Sequence, residues 1–220
     1  MQGIALMKYT APLCHSVARA WSQTRRSVVA LAAAASIVAL MVIAPVAGAR
    51  NRARAHRASR GCANANTRVG RAPRLALKAA VVCLINKQRR AHGLPALRAN
   101  RRLDRSAQGW TNVMVADGEF SHGSNFSARI SATGFIWSTV GENIATGFPT
   151  PREVVSAWMG STGHCQNILS SSFADVGTGI RAKPVRGFAS RPATWTQDFG
   201  LPMGHHAPSG NTGAAAGCPY

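Results

Sequence analysis

Three short segments of the 220-residue chain collect side chains able to do chemistry: Phe120-Ser121-His122, Gly141-Glu142-Asn143-Ile144-Ala145, and the run from Trp158 to Leu169 that carries Ser161, His164 and Cys165. Each sets one ionisable residue beside Gly, Asn or Ser, at an expected element boundary, where functional side chains tend to be displayed. His122, His164 and Glu142 are the residue types of an open Zn²⁺ site, two imidazoles and a carboxylate with room for a water. In a second geometry Glu142 hydrogen-bonds one imidazole and fixes its tautomer, leaving a two-histidine site of low affinity. In a third, the three form a buried polar network that orients loops and binds nothing. No His-Glu-x-x-His pair is present to array ligands on one helix, which argues against a hydrolytic zinc centre. Ser161 lies three residues before His164 and Ser121 adjoins His122, but neither sits in a Gly-x-Ser-x-Gly elbow. His205-His206 falls in a tail rich in Gly, Ala and Pro, where metal binding is incidental. Trp110, Trp137, Trp158 and Trp195 are assigned to the core, three of them lying on periodic faces.

The elements that must position these residues are readable in part. Leu77, Ala80, Val81, Leu84, Ile85 and Gln88 recur at helical spacing from Arg74, and His92-Gly93 with Pro95 ends that helix. Asn100 caps a second helix through Leu103, Ala107, Trp110 and Met114 to Asp117-Gly118. A short helix is expected between Phe126 and Gly134. Thr150-Pro151-Arg152-Glu153 reads as a capping box with proline in the first turn, so Glu153 is a cap residue. Val154, Val155, Trp158 and Met159 give that helix its buried face, and Gly160 or Gly163 ends it. Asp175–Ile180 and Ala193–Phe199 read as strands. Helices precede strands in a length that makes one domain, so the class is α+β or an α/β/α sandwich.

Composition places this domain outside the cytoplasm. Lys8, Arg19, Arg25 and Arg26, with no acid, precede the uncharged apolar run Val28–Ile43, and Pro45 and Ala47-Gly48-Ala49 follow. That is a signal peptide over residues 1–49 with cleavage after Ala49; an uncleaved anchor is the alternative. Residues 50–74 carry eight arginines and no acid and are read as a disordered linker, with the domain at 75–202 and a flexible tail at 203–220. The basic block lacks interleaved aromatics, so nucleic acid is set aside as a partner. Loose attraction to an anionic cell-envelope polymer or to lipid head groups fits better, with the membrane met only through the leader. Removal of the leader takes Cys14 and leaves Cys62, Cys83, Cys165 and Cys218, two disulfides with three connectivities open. The favoured pairing is Cys62–Cys83 and Cys165–Cys218, which makes Cys165 a bridge partner before a nucleophile.

The three segments, with Leu84–Arg90 before His92-Gly93-Leu94 and Trp195–Gly200 at the end, resemble the CAP superfamily of cysteine-rich secretory, antigen 5 and pathogenesis-related-1 proteins. The match is to its bacterial SCP-like branch and runs from about Ala79 to Gly200. The resemblance implies an α-β-α sandwich with a central cleft holding two His and two Glu. His122, Glu142 and His164 stand at three of those places, with Asn143 beside them. The fourth, a Glu just after the helix Trp, is absent here, since Met159, Gly160, Ser161 and Thr162 follow Trp158. Family members are associated with sterol or lipid binding and with signalling. A secreted binding module is therefore expected, with a hydrolase or a purely structural domain as rivals.

Overall fold

The structure, a computed structural model, describes residues 61–207 and 218–219. The expected leader, residues 50–60 of the Arg-rich segment and residues 208–217 of the tail lie outside the described residues. Among the described residues, five helices and four strands follow one another as α1 (Arg74–Ala91), β1 (Arg98–Ala99), α2 (Arg101–Asp117), α3 (Phe126–Ala132), β2 (Trp137–Thr146), α4 (Pro151–Met159), α5 (Thr162–Ile168), β3 (Asp175–Arg181) and β4 (Thr194–Pro202). No helix among them is long and apolar enough to cross a membrane.

The strands form one sheet in the order β1-β3-β4-β2. β1 runs parallel to β3, while β4 is antiparallel to both β3 and β2. Period-two alternation sends Trp195 and Phe199 of β4 and Val176 and Ile180 of β3 to one face, where they meet Leu77, Val81 and Ile85 of α1 and Val154, Val155 and Trp158 of α4. The other face is lined by Gly177, Gly179 and Gly200 and carries α2 and α3. A Cβ on Gly177 would stand 2.1 Å from the Leu103 carbonyl carbon, and one on Gly179 2.2 Å from the Ala107 oxygen. Glycine at alternate positions thus lets the backbone of α2 lie directly on the sheet. Thr111 of α2 then closes a hydrogen bond to Thr196 of β4 at 2.8 Å. The layers are α1/α4/α5, sheet, and α2/α3, the expected sandwich.

The caps fall where local chemistry puts them. Asn100 accepts from the Arg102 amide, Asn125 from Ala128 and Thr150 from Glu153. In α1 the buried polar residues are Asn86 and Arg89, whereas Gln88 of the expected stripe is only half-buried. Cys62 is bonded to Cys83 and Cys165 to Cys218. The first bridge holds to α1 a stretch, residues 61–73, expected as linker. Ala65 is buried, the Val69 amide donates to Pro149 O at 2.9 Å, and the Arg152 amide donates to Ala65 O at 2.8 Å. Residues 61–73 are short of large apolar side chains, so their backbone bonds and the disulfide hold them. Every described helix and strand, both disulfides and all three apolar clusters lie at or after Gly61, so a chain starting there carries what folding needs.

Candidate functional site

His122 leaves the loop after α2, Glu142 stands mid-way along β2, and His164 sits in α5, packed on the far side of that edge strand. The boundary reading holds for His122 alone, because Glu142 and His164 lie inside regular elements. Their geometry is set by three local constraints. Gly123 takes a left-handed φ of 65°, and a Cβ there would lie 2.8 Å from the Trp110 ring. Gly141 leaves room for Phe173, whose Cζ would be 2.8 Å from an added Cβ. Asn143, fully buried, donates to His164 O at 3.2 Å and accepts from Asn167 Nδ2 at 2.9 Å. Asn143 therefore fastens α5 to β2, and it reaches the site through the backbone of His164.

The buried Glu142 carboxylate is spoken for on both oxygens. Oε1 meets His122 Nδ1 at 2.8 Å, and Oε2 accepts from Arg129 Nη2 at 2.6 Å. Arg129 also donates from Nη1 to His122 O at 3.0 Å, and its guanidinium lies 3.9 Å from the centre of the Trp110 ring. Trp110 in turn donates from Nε1 to Ser121 O at 2.9 Å. The network closes on itself. A carboxylate orienting one imidazole inside a buried polar network is common to the second and third geometries read from the sequence. His122 keeps Nε2 free of these bonds. The His164 pKa is lowered to about 4, first by burial and then by the neighbouring charge of His122, so this imidazole is neutral across the physiological range.

Beneath Glu142, paired with it across β2 and β4, is Asp198. It is wholly buried, and neither carboxyl oxygen completes a hydrogen bond of ordinary geometry, nor does the Ser106 hydroxyl above it. Burial, then the charge of Glu142, raises the Asp198 pKa well above the usual carboxylate range. Behind α5, the buried guanidinium of Arg89 donates to the carbonyls of Pro95, Ile168 and Ser170, gripping the C-terminal end of the helix that carries His164. Burial lowers its pKa to about 10. Arg129, Asp198, Arg89 and Trp110 are residues of the site that the sequence reading does not single out. Trp110 is half-buried, packed against the Met114, Ile144 and Val185 cluster and also under Arg129, while Trp158 and Trp195 are fully in the core. Asp198 has one signal in the sequence, a carboxylate between Gln and Phe in a strand.

The arrangement bears on each chemistry in turn. Among the described residues no three His, Cys, Asp or Glu side chains converge as a metal-ligand set. A zinc site of two imidazoles and a carboxylate does not fit, because the buried Glu142 carboxylate is turned to Arg129 and to His122 Nδ1. What is left for a ligand is the His122 Nε2 and the His164 ring. Ser121 donates to Glu119 Oε1 at 2.8 Å and is not hydrogen-bonded to His122, and the buried Ser161 hydroxyl has no hydrogen-bond partner. Cys165 is in its disulfide. Glu153 accepts from Arg191 at 2.7 Å beside its cap.

A family model for the cysteine-rich secretory protein family, CAP, matches residues 82–199. Uncharacterized protein YkwD of Bacillus subtilis is 37% identical over 124 residues, covering 54% of this chain and 45% of its own length. An extracellular protein with an SCP domain from Bacillus anthracis has a solved structure that superposes with a TM-score of 0.51 at 25% identity, over 57% of this chain and 40% of that one. An outer surface protein of Borrelia burgdorferi shares the fold, with a TM-score of 0.50 at 18% identity over 56% of this chain and 90% of its own. This chain thus matches less than half the length of the two Bacillus proteins.

Proposed function

We propose, from the premise that the chain belongs to the cysteine-rich secretory protein (CAP) family, that it works outside the cell or at the envelope as a binding module. The apolar leader read from the sequence and the two disulfides support that address. So do the printed descriptions of the relatives, one extracellular and one on the outer surface. In this reading His122 Nε2 and the His164 ring meet a divalent cation held weakly, or a polar group of a lipid-like or envelope ligand. One observation carries the preference for binding over hydrolysis. Glu142, the only acid among the three expected cleft residues, is held between Arg129 and His122 with both oxygens used. A general base must be within reach of the proton it removes, and this carboxylate is buried and turned to two protein partners.

The test is calorimetric titration of Zn²⁺ into the protein, its His122→Ala variant and its His164→Ala variant, with thermal unfolding as the folding check. One weak site in the parent, lost in both variants, is the expected result. Variants that bind as the parent does end the imidazole reading. Turnover of a peptide, ester or peptidoglycan substrate that falls about 100-fold in Glu142→Gln would replace binding with hydrolysis.

A further inference from the structure

From a surface outside the cleft we infer a second property: the exposed stripe of α2 and the adjoining end of the sheet form a docking face for a bilayer that carries anionic lipid. Arg101, Arg102 and Arg105 fall within one arc of α2 and are all exposed. They have no acid to answer them. Asp104 on the same helix is engaged by Lys78 at 3.5 Å and by the Thr178 amide at 2.8 Å, and Asp175 by Arg98 and Asn100. Cations in the first turns of a helix also face the positive end of its dipole, so they add nothing to the fold's own stability. Their charge is presented outward.

The arginines lean over the turn that leads into β2. Arg105 donates to Thr133 O at 2.9 Å, and the Arg102 Nε would be 3.6 Å from a Cβ on Gly134. Two residues on, Ile136 is 72% exposed, and Met203, whose amide donates to Ile136 O at 3.0 Å, is 48% exposed. Trp137 follows, half-buried, with its Nε1 tied to Ser131. Guanidiniums beside protruding aliphatic side chains and an amphipathic indole are the composition of a face that rests at a lipid interface. A soluble phosphate polymer would use the arginines and leave Ile136 and Met203 in water, so charge and apolar exposure together select the bilayer.

Co-sedimentation of the chain from Gly61 onward with vesicles of phosphatidylglycerol and phosphatidylcholine tests this against pure phosphatidylcholine. The parent is expected to bind only the anionic vesicles and to be released by salt. An Arg101→Gln/Arg102→Gln/Arg105→Gln variant should lose about 5-fold per arginine, on the order of 100-fold together. Arg68→Gln/Arg71→Gln/Arg74→Gln removes the same charge from other exposed positions and should keep most of the binding. Ile136→Ser/Met203→Ser should lose about 10-fold on vesicles while binding soluble polyphosphate as the parent does. Absence of parental binding, equal losses in the two arginine triples, or an unaffected Ile136→Ser/Met203→Ser variant each overturns the assignment. All six arginines and both apolar residues are exposed, and matching unfolding curves confirm that the fold is intact.

Discussion

On one face of the sheet β4 presents Trp195 and Phe199 to α1 and α4, and Phe173 stacks on Phe199 with ring centres 5.3 Å apart. On the other face the same strand presents Thr196, Asp198 and Gly200 to α2 and α3, with Glu142 beside Asp198 in β2. The first face excludes water through large side chains and is anchored by the Cys165–Cys218 bridge. The second keeps its side chains small, so that a helix backbone lies close and two carboxyl groups are taken out of water under it. Burying carboxyl groups is costly unless charge or hydrogen bonds compensate. Here Arg129 and His122 compensate Glu142, while for Asp198 burial and the charge of Glu142 outweigh the opposing influence of Ser106 and Arg129. The apolar face is therefore expected to supply the stability that the polar face gives up in burying the Glu142 network.

Truncation on the apolar side should be the largest blow. Phe199→Ala is expected to cost about 3–5 kcal/mol in urea unfolding, and a loss below about 1 kcal/mol would mean that stability resides elsewhere. Next comes Arg129→Met, which leaves the buried Glu142 without its guanidinium. With Arg129 23% exposed, a loss of about 2–3 kcal/mol is expected, partly recovered when Glu142→Gln is added. Recovery in that cycle would show that the charge pair, and not packing, is what the polar face needs.

Asp198→Asn should act in the opposite direction. A carboxyl group whose folded pKa is raised favours the native state below the unfolded value of about 3.8, and that contribution fades as pH rises through the folded pKa. Removing the ionisation should therefore raise stability at neutral pH, read as a higher urea midpoint. A variant less stable than the parent at pH 7 would show that Asp198 has a partner worth more than its desolvation costs. The smallest effect at neutral pH belongs to His164. Its folded pKa is depressed to about 4 from 6.5, so its contribution is present above pH 6.5 and lost as pH falls through about 4. His164→Asn should flatten the fall in melting temperature across that window and leave the value above it little changed.

The legible parts of this fold are those with short-range causes. Asn100, Thr150 and Gly118 mark helix ends because capping is settled within four residues. His122, Glu142 and His164 can be named because unusual residues beside glycine and asparagine stand out. β2 escapes a reading by pattern because Gly141, Glu142 and Asn143 interrupt its apolar alternation, each for a tertiary reason: Phe173, Arg129 and α5 respectively. Arg129 carries no local signal at all. It is one arginine among 26 Lys and Arg residues, and only the closure of α3 over Trp110 sets it apart. Residues 61–73 look like linker because what orders them is backbone bonding and a disulfide, neither of which shows in hydropathy.

The Cys62–Cys83 bridge has a mechanical consequence. A pull on whatever precedes Gly61 enters the domain at Cys62 and passes through sulfur into the middle of α1, whose Leu77, Val81 and Ile85 are embedded in the core. The 21-residue separation between the two cysteines is shielded from that load. Force therefore cannot peel residues 63–82 away one contact at a time; it must shear α1 against the sheet all at once. Reducing this one bond turns a shear geometry into an unzipping one, and a single-molecule pulling experiment would read the change as a drop in rupture force.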